Sequence, residues 1–251
     1  MERETLAAYA YQYHGAWDLI ARAVVSAEQP RKPGIRERYI TILDAEYPDC
    51  LRQLACPPWV LFYQGNIRLL EEPMITIVGS RDLSVYGEYL TALAADELKK
   101  RFVLVSGLAK GADAIVHKRA LEGGHTIGVI GSGLGTRYPK ENHDLYEAMA
   151  KNDLILSEYP FFTGVRKENF PWRNRIIAAL GQACIVTAAK QRSGTMITVN
   201  EALAVSRDIY TFPYPFNDEA GRGCDILIAE GANILYTSSQ LREIRPKLIM
   251  S

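Results

Sequence analysis

Arg173, Asn174 and Arg175 follow Pro171 at the start of an apolar helical pattern, Trp172–Leu180. Arginines at such a position oppose the helix dipole, whose N-terminal end is already positive. A bound anion would relieve that conflict, because the free amides of a helix N-terminus form a ready phosphate site. A solvated helix start or a buried ion pair are the alternatives. Two residues of separation put Arg173 and Arg175 on different helix faces, so one is expected to meet the ligand while the other braces the site. Ser193-Gly-Thr195 forms a second anion-receptive turn, where Gly194 precedes another helical pattern. Ser193, Thr195 and Thr198 offer hydroxyls beside its free amides, although a plain N-cap would also account for Ser193.

Three further loops carry candidate chemistry. Gly79-Ser-Arg81 follows an apolar strand directly and combines a sharp turn, a hydroxyl and a planar guanidinium fork. A strand-to-helix turn with a surface arginine is its simpler reading. Ser106-Gly-Leu-Ala-Lys-Gly-Ala-Asp113 has a cradle-like pattern without the Gly-Lys-Ser/Thr ending of a P-loop. Asp113 is expected to cap the following helix, and His117 to pack in that helix rather than act in catalysis. Gly131-Ser-Gly-Leu-Gly-Thr136 superficially matches a dinucleotide fingerprint. Tyr138-Pro139 delays the helix, however, and no acidic residue closes the next strand, so no bound dinucleotide is expected.

The elements that must hold these loops are legible as short apolar runs. Strands are expected at 39–43, 59–63, 74–78, 102–105, 126–130, 154–156, 183–187, 208–212 and 233–236. Helical patterns separate most of them, at 87–100, 112–121, 141–150, 172–180 and 195–205. Near-continuous apolar strands alternating with helices predict an α/β fold, a mainly parallel sheet with helices on both faces. Right-handed crossovers then gather the loops after Val78, Val105, Ile130, Tyr159 and Thr187 at one sheet edge. Residues 1–35 read as a short helical appendage that ends in the linker 29–34, and residues 36–251 as the main domain.

Composition narrows the function. Lys+Arg and Asp+Glu balance at 29 each, so no global field advertises a polyanion partner. Positive charge is instead local: Arg166, Lys167, Arg173, Arg175, Lys190 and Arg192 stand against Glu168 alone. Cys50, Cys56, Cys184 and Cys224 lack metal-ligand spacing and suit a reduced, cytoplasmic protein. The opening residues carry no leader-type apolar segment, and no stretch approaches the ~20 apolar residues of a membrane span. His14, His117, His125 and His143 are scattered, with no Ser-His-Asp order, paired carboxylates or metal cluster. A site rich in phosphate-binding groups and poor in acids and bases favours a binder over an enzyme, with no cofactor.

On these residues the chain resembles the DprA (Smf) family of bacterial DNA-processing proteins, from about Tyr47 to Tyr236. The resemblance rests on ordered motifs: Tyr47-Pro48, Pro57-Pro58 and Leu61-Phe-Tyr-Gln-Gly-Asn66; Gly79-Ser-Arg81; the 106–113 loop with His117; and Tyr138-Pro-Lys-Glu-Asn142. Phe170-Pro-Trp-Arg-Asn-Arg-Ile-Ile177, Ser193-Gly-Thr195, Gly223-Cys-Asp-Ile-Leu-Ile228 and Gly231-Ala232 complete it. It implies an extended Rossmann-like fold that binds single-stranded DNA without sequence preference. It also implies loading of RecA recombinase past single-strand-binding protein, in natural transformation and recombination, by a homodimer with no established enzymatic activity. The implied DNA contacts are Arg81, Lys140, Lys167, Arg173, Asn174 and Arg175. Gly133-Leu-Gly135 and Tyr214-Pro-Phe-Asn217 depart from the family pattern. The N-terminal module is shorter than the family's sterile-alpha-motif-like domain, and a C-terminal winged helix is expected to be missing.

Together these readings predict a basic groove past Arg81, Lys167, Arg173 and Arg175, with phosphates over the two helix starts and against Ser193, Gly194 and Thr195. Phe161, Phe162, Phe170 and Trp172 are candidate base-stacking side chains, and Phe170 is equally a core anchor. The apolar stretch 226–235 is the candidate dimer face. An alternative from another class is a nucleoside-monophosphate phosphoribohydrolase, which Gly194-Thr195 with Glu201 partly echoes.

Overall fold

The structure, a computed structural model, describes residues 1–31 and 34–245; Lys32 and Pro33 of the linker lie outside the described residues. Nine strands form one sheet: β1 (Arg38–Thr41), β2 (Val60–Gly65), β3 (Met74–Gly79), β4 (Val103–Ser106), β5 (Thr126–Ile130), β6 (Leu154–Ser157), β7 (Ala183–Ala188), β8 (Asp208–Thr211) and β9 (Asn233–Ile234). All nine expected strands occur. The helices are α1 (Arg3–Gln12), α2 (Trp17–Val25), α3 (Asp49–Arg52), α4 (Val85–Leu98), α5 (Ala112–Leu121), α6 (His143–Asn152), α7 (Asn169–Leu180), α8 (Gly194–Ala204), α9 (Arg222–Ala229) and α10 (Ser238–Glu243).

The sheet order is β1-β2-β6-β5-β4-β3-β7-β8-β9. β1 and β2 run antiparallel to each other, and β2 antiparallel to β6; every other pairing is parallel. From β3 the chain steps outward through β4, β5 and β6, then returns to place β7 on the other side of β3. Right-handed crossovers therefore put α4, α5 and α6 on one face and α7 and α8 on the other. The order reverses between β3 and β7, and the carboxyl ends of strands at such a reversal open a crevice. Central strands such as Ile75, Ile77, Leu104, Val105, Ile127 and Ile185 are wholly buried, as a doubly covered parallel sheet requires.

Helices α1 and α2 pack over the β1–β2 end. Leu6, Tyr9 and Ile20 share a buried cluster there with Val60, Phe62, Tyr146 and Ile155. Trp17 and Trp59 stack with ring centroids 5.6 Å apart, and Trp17 Nε1 donates to Pro57 O at 2.7 Å.

One expected boundary moves with consequences. α7 begins at Asn169, not Trp172, and carries Pro171 within its first turn. Proline is tolerated there because its missing N–H would have had no helical partner. Arg173 and Arg175 consequently lie beyond the first turn, and the conflict with the helix dipole expected from the sequence does not arise.

Candidate functional site

The loops after β3 and β7 flank the crevice. Gly79-Ser-Arg81 leaves β3, and its Ser80 carbonyl accepts from Ala112 N at 3.1 Å, so the start of α5 fixes the loop. Ser80 Oγ is engaged locally, donating to Asp82 O at 2.7 Å. Arg81 is exposed, with its guanidinium carbon 5.5 Å from the Phe170 ring centroid. The Tyr138 ring packs against the same phenylalanine, with ring centroids 5.7 Å apart. Phe170 is half-buried, so it anchors the wall and still presents surface to the crevice.

A groove of about 750 Å³ runs along this reversal. Arg81, Lys167, Arg173, Asn174, Ser193, Gly194 and Thr195 all line it, together with Tyr138, Val165, Phe170 and Lys190. Seven of the nine residues singled out from the sequence thus converge. Lys140 and Arg175 are not among the lining residues. Lys140 is exposed on the 3-10 turn Lys140–Asn142.

Arg175 lies within the protein. Its side chain is 5% exposed and Nη2 meets Glu158 Oε1 at 2.6 Å. Nε donates to Cys56 O and Nη1 to Trp172 O, both at 2.9 Å. Each nitrogen of the guanidinium has a partner inside the protein, so the side chain braces α7 against the end of β6. The Glu158 carboxyl is pushed up by burial and pulled back by the Arg175 charge.

Arg173 is also buried, at 3% exposure, although it lines the groove. Its Nη1 donates to Gly107 O at 2.6 Å and to Val129 O. It forms part of the groove floor. Gly107 makes that approach possible: a Cβ there would lie 2.6 Å from both Arg173 Nη2 and Asp113 Oδ2. Asp113 is not the helix cap expected from sequence. The N-cap is Gly111, and Asp113 Oδ2 instead accepts from Ala109 N at 3.2 Å while facing Arg173 across Gly107. Burial raises the Asp113 pKa and the Arg173 charge opposes that rise.

His117 is wholly buried, as expected for a packed residue. Thr126 Oγ1 donates to Leu104 O at 2.6 Å, so His117 Nδ1 donates to Thr126 Oγ1 at 2.7 Å. Nε2 then accepts from Leu108 N at 3.3 Å. Burial, with a smaller contribution from Arg173, lowers its pKa to about 3 and keeps the ring neutral.

On the opposite wall, α8 starts at Gly194 with Ser193 as N-cap, but the Ser193 side chain makes no capping bond. Ser193 Oγ has no hydrogen-bond partner among the described residues. The exposed residues Lys190 and Arg192 precede it. Asn174 Nδ2 reaches Gly194 O at 3.4 Å, tying α7 to this helix start. A free hydroxyl, the amides of a helix start and exposed cations at one rim suit an anionic group. Lys190 belongs to the basic run read from the sequence, yet only its place on the groove distinguishes it from Arg192.

The glycine-rich loop 131–135 is filled by protein. Gly133 N donates to Thr163 O at 2.8 Å and Gly135 N to Phe161 O at 3.0 Å. A Cβ on Gly133 would stand 2.0 Å from Pro160 O. Two of the loop's amides are thus spent on the segment after β6, whose close approach accounts for Gly133. Among the described residues no group of three His, Cys, Asp or Glu could hold a metal ion, and no helix is long and apolar enough to cross a membrane. Glu201 does not line the groove.

The sequence profile of the DNA recombination-mediator protein A family matches residues 38–245. The chain is 44% identical to the DNA processing protein DprA of Streptococcus pneumoniae over 201 residues, 80% of this chain and 71% of that protein. It is 39% identical to protein Smf of Synechocystis over 210 residues, covering 81% of this chain and 53% of the relative. The X-ray structure of the pneumococcal DprA superposes with a TM-score of 0.80 at 34% identity, over 95% of this chain and 92% of that one. DNA processing protein A of Helicobacter pylori, a structure described for its single-stranded DNA binding mode, matches with a TM-score of 0.75 at 31% identity. That match covers 83% of this chain and 95% of the other.

Proposed function

Because the chain belongs to the DprA (Smf) family of DNA recombination mediators, we propose that it binds single-stranded DNA without sequence preference along the β3–β7 groove. The observation that carries this reading is the meeting of Arg81, Lys167 and Lys190 with the uncapped start of α8 on one groove. Phosphates occupy the α8 start and the exposed cations, with Asn174, Ser193, Gly194 and Thr195 supplying short-range donors. Phe170 and Tyr138 present ring surface to bases, which stack on aromatic faces whatever their sequence. Arg173 contributes from beneath as a fixed charge, and Arg175 acts as a brace.

The same reading assigns the protein to RecA loading in recombination and DNA uptake, as a homodimer with no catalytic step. The buried, neutral His117 and the engaged Asp113 support a binder, since neither is available for proton transfer. β9 is one edge of the sheet, where Ile234 is exposed at 41%, and this supports the 226–235 region as the dimer face.

Titration of labelled single- and double-stranded oligonucleotides at two salt concentrations, with and without RecA, tests the assignment. Preferential single-strand binding that weakens steeply with salt, and faster RecA filament growth, are the expected results. Release of free base from AMP with no oligonucleotide binding is the outcome that would overturn it.

A further inference from the structure

Besides their packing over β1 and β2, the residues up to β1 reach the segment that follows β6 at two places. The first is the turn between α1 and α2. Gly15 has φ +75°, and a Cβ there would stand 2.8 Å from the Tyr159 ring and 2.9 Å from Glu158 O. The second is Glu37, just ahead of β1. Its Oε1 accepts from Phe161 N at 2.9 Å, and its carboxylate also receives the hydroxyl of Tyr11 from α1. Desolvation, reinforced by that carboxylate, pushes the Tyr11 phenol well above its ordinary range, so it remains a donor.

The tethered segment is the one whose carbonyls fill the glycine loop, through Phe161 O and Thr163 O. A few residues on, it delivers Val165 and Lys167 to the groove. Between these anchors and α7 the backbone is irregular and its outer side chains are exposed, with Phe162 at 87%. A segment of that kind holds its geometry through its few fixed points. Among the described residues, the Phe161 amide is the one in this segment bonded to a side chain from the N-terminal region.

We propose that Glu37 is a positioning residue for the groove: held by Tyr11, it clamps the Phe161 amide and so fixes the wall that carries Lys167. The N-terminal helices thereby act as a buttress for DNA binding. This rests on the DNA-binding reading of the groove.

Glu37→Ala and Glu37→Gln, with Tyr11→Phe as a second way to loosen the clamp, test it in the full chain. Glutamine keeps an oxygen for the Phe161 amide and a hydrogen-bond partner for Tyr11. Glu37→Ala is expected to weaken oligo-dT binding about three- to tenfold, on the order of one lost phosphate contact. Glu37→Gln is expected to restore wild-type binding, and Tyr11→Phe to fall between. Hydrogen exchange of the 158–167 segment should accelerate in the alanine variant before any DNA is added. The loss should also be non-additive with Lys167→Ala, because both remove the same contact. Wild-type affinity in Glu37→Ala, or full additivity with Lys167→Ala, overturns the proposal while leaving the groove in place if Arg81→Ala still weakens binding. Wild-type affinity in both Arg81→Ala and Lys167→Ala overturns the groove reading and the proposal together.

Discussion

Arg175 and Glu158 form an ion pair at 2.6 Å with both side chains no more than 5% exposed, and neither lines the groove. Removing one partner of such a pair strands a buried charge, whereas replacing both by apolar groups does not. Arg175→Ala is expected to lower unfolding free energy by about 3–5 kcal/mol, read from urea denaturation. The Arg175→Met, Glu158→Leu double variant should recover most of that loss. A stable Arg175→Ala protein with weakened DNA binding would instead return this residue to the groove.

Arg81 and Lys167 are exposed and line the groove, so their substitution should separate binding from stability. Arg81→Ala and Lys167→Ala are each expected to keep the wild-type melting temperature within a few degrees. Each should reduce the slope of log affinity against log salt by about 1, in fluorescence-anisotropy titrations of oligo-dT. Lys140→Ala, whose side chain stands off the groove, is expected to change affinity less than either.

Gly107 admits the Arg173 guanidinium to the floor of the groove. Gly107→Ala places a methyl 2.6–2.7 Å from both Arg173 terminal nitrogens and from Asp113 Oδ2. Overpacking of this kind is expected to destabilise by about 1–3 kcal/mol. Thermal unfolding checks it, and an unchanged melting temperature would mean that Arg173 has another place to go.

His117 gives stability a defined acid slope. In the unfolded chain a histidine titrates near about 6.5, and in the folded protein burial holds His117 at about 3. Below pH 6.5 the unfolded state takes up a proton that the native state refuses. Stability therefore falls as pH drops from about 6.5 toward about 3, by up to about 1.4 kcal/mol per pH unit. Asp113 and Glu158 act with the opposite sign, because burial raises their folded pKa values and the native state takes up their protons first on acidification. Denaturation curves between pH 5 and pH 7 for the wild type and His117→Gln isolate the histidine. The wild type should show the steeper loss toward acid.

The strands were legible because a doubly covered parallel strand is a short apolar run between turns, and most of the runs here are bounded on at least one side by glycine, proline or a charge. The convergence of Gly79-Ser-Arg81 with Ser193-Gly-Thr195 followed from crossover handedness alone. What the sequence hid depended on partners far along the chain. Arg173 and Arg175 look alike in a linear pattern. Their burial is decided by Val129, Gly107, Cys56 and Glu158, none of which is a neighbour in sequence. Asp113 resembles a cap because capping is a local rule, and it is drawn inward by a guanidinium that local rules do not contain. The start of α7 was displaced because proline both ends helices and opens them. Glu37 carried no motif, only an ordinary acid before a strand, and nothing short of the folded segment after β6 could mark it.

The two walls of the groove are brought together by direct pairing of β3 with β7, and the hydrogen bond from Thr187 Oγ1 to Val78 O at that seam spans 109 residues. Contacts of such long sequence separation form late, after the loop between them has been organised. A nascent chain that has emerged only as far as α7 already exposes Arg81 and Lys167 but has no opposite wall. The groove as a two-walled feature therefore arrives in one step, once β7 has paired with β3 and the start of α8 has followed it.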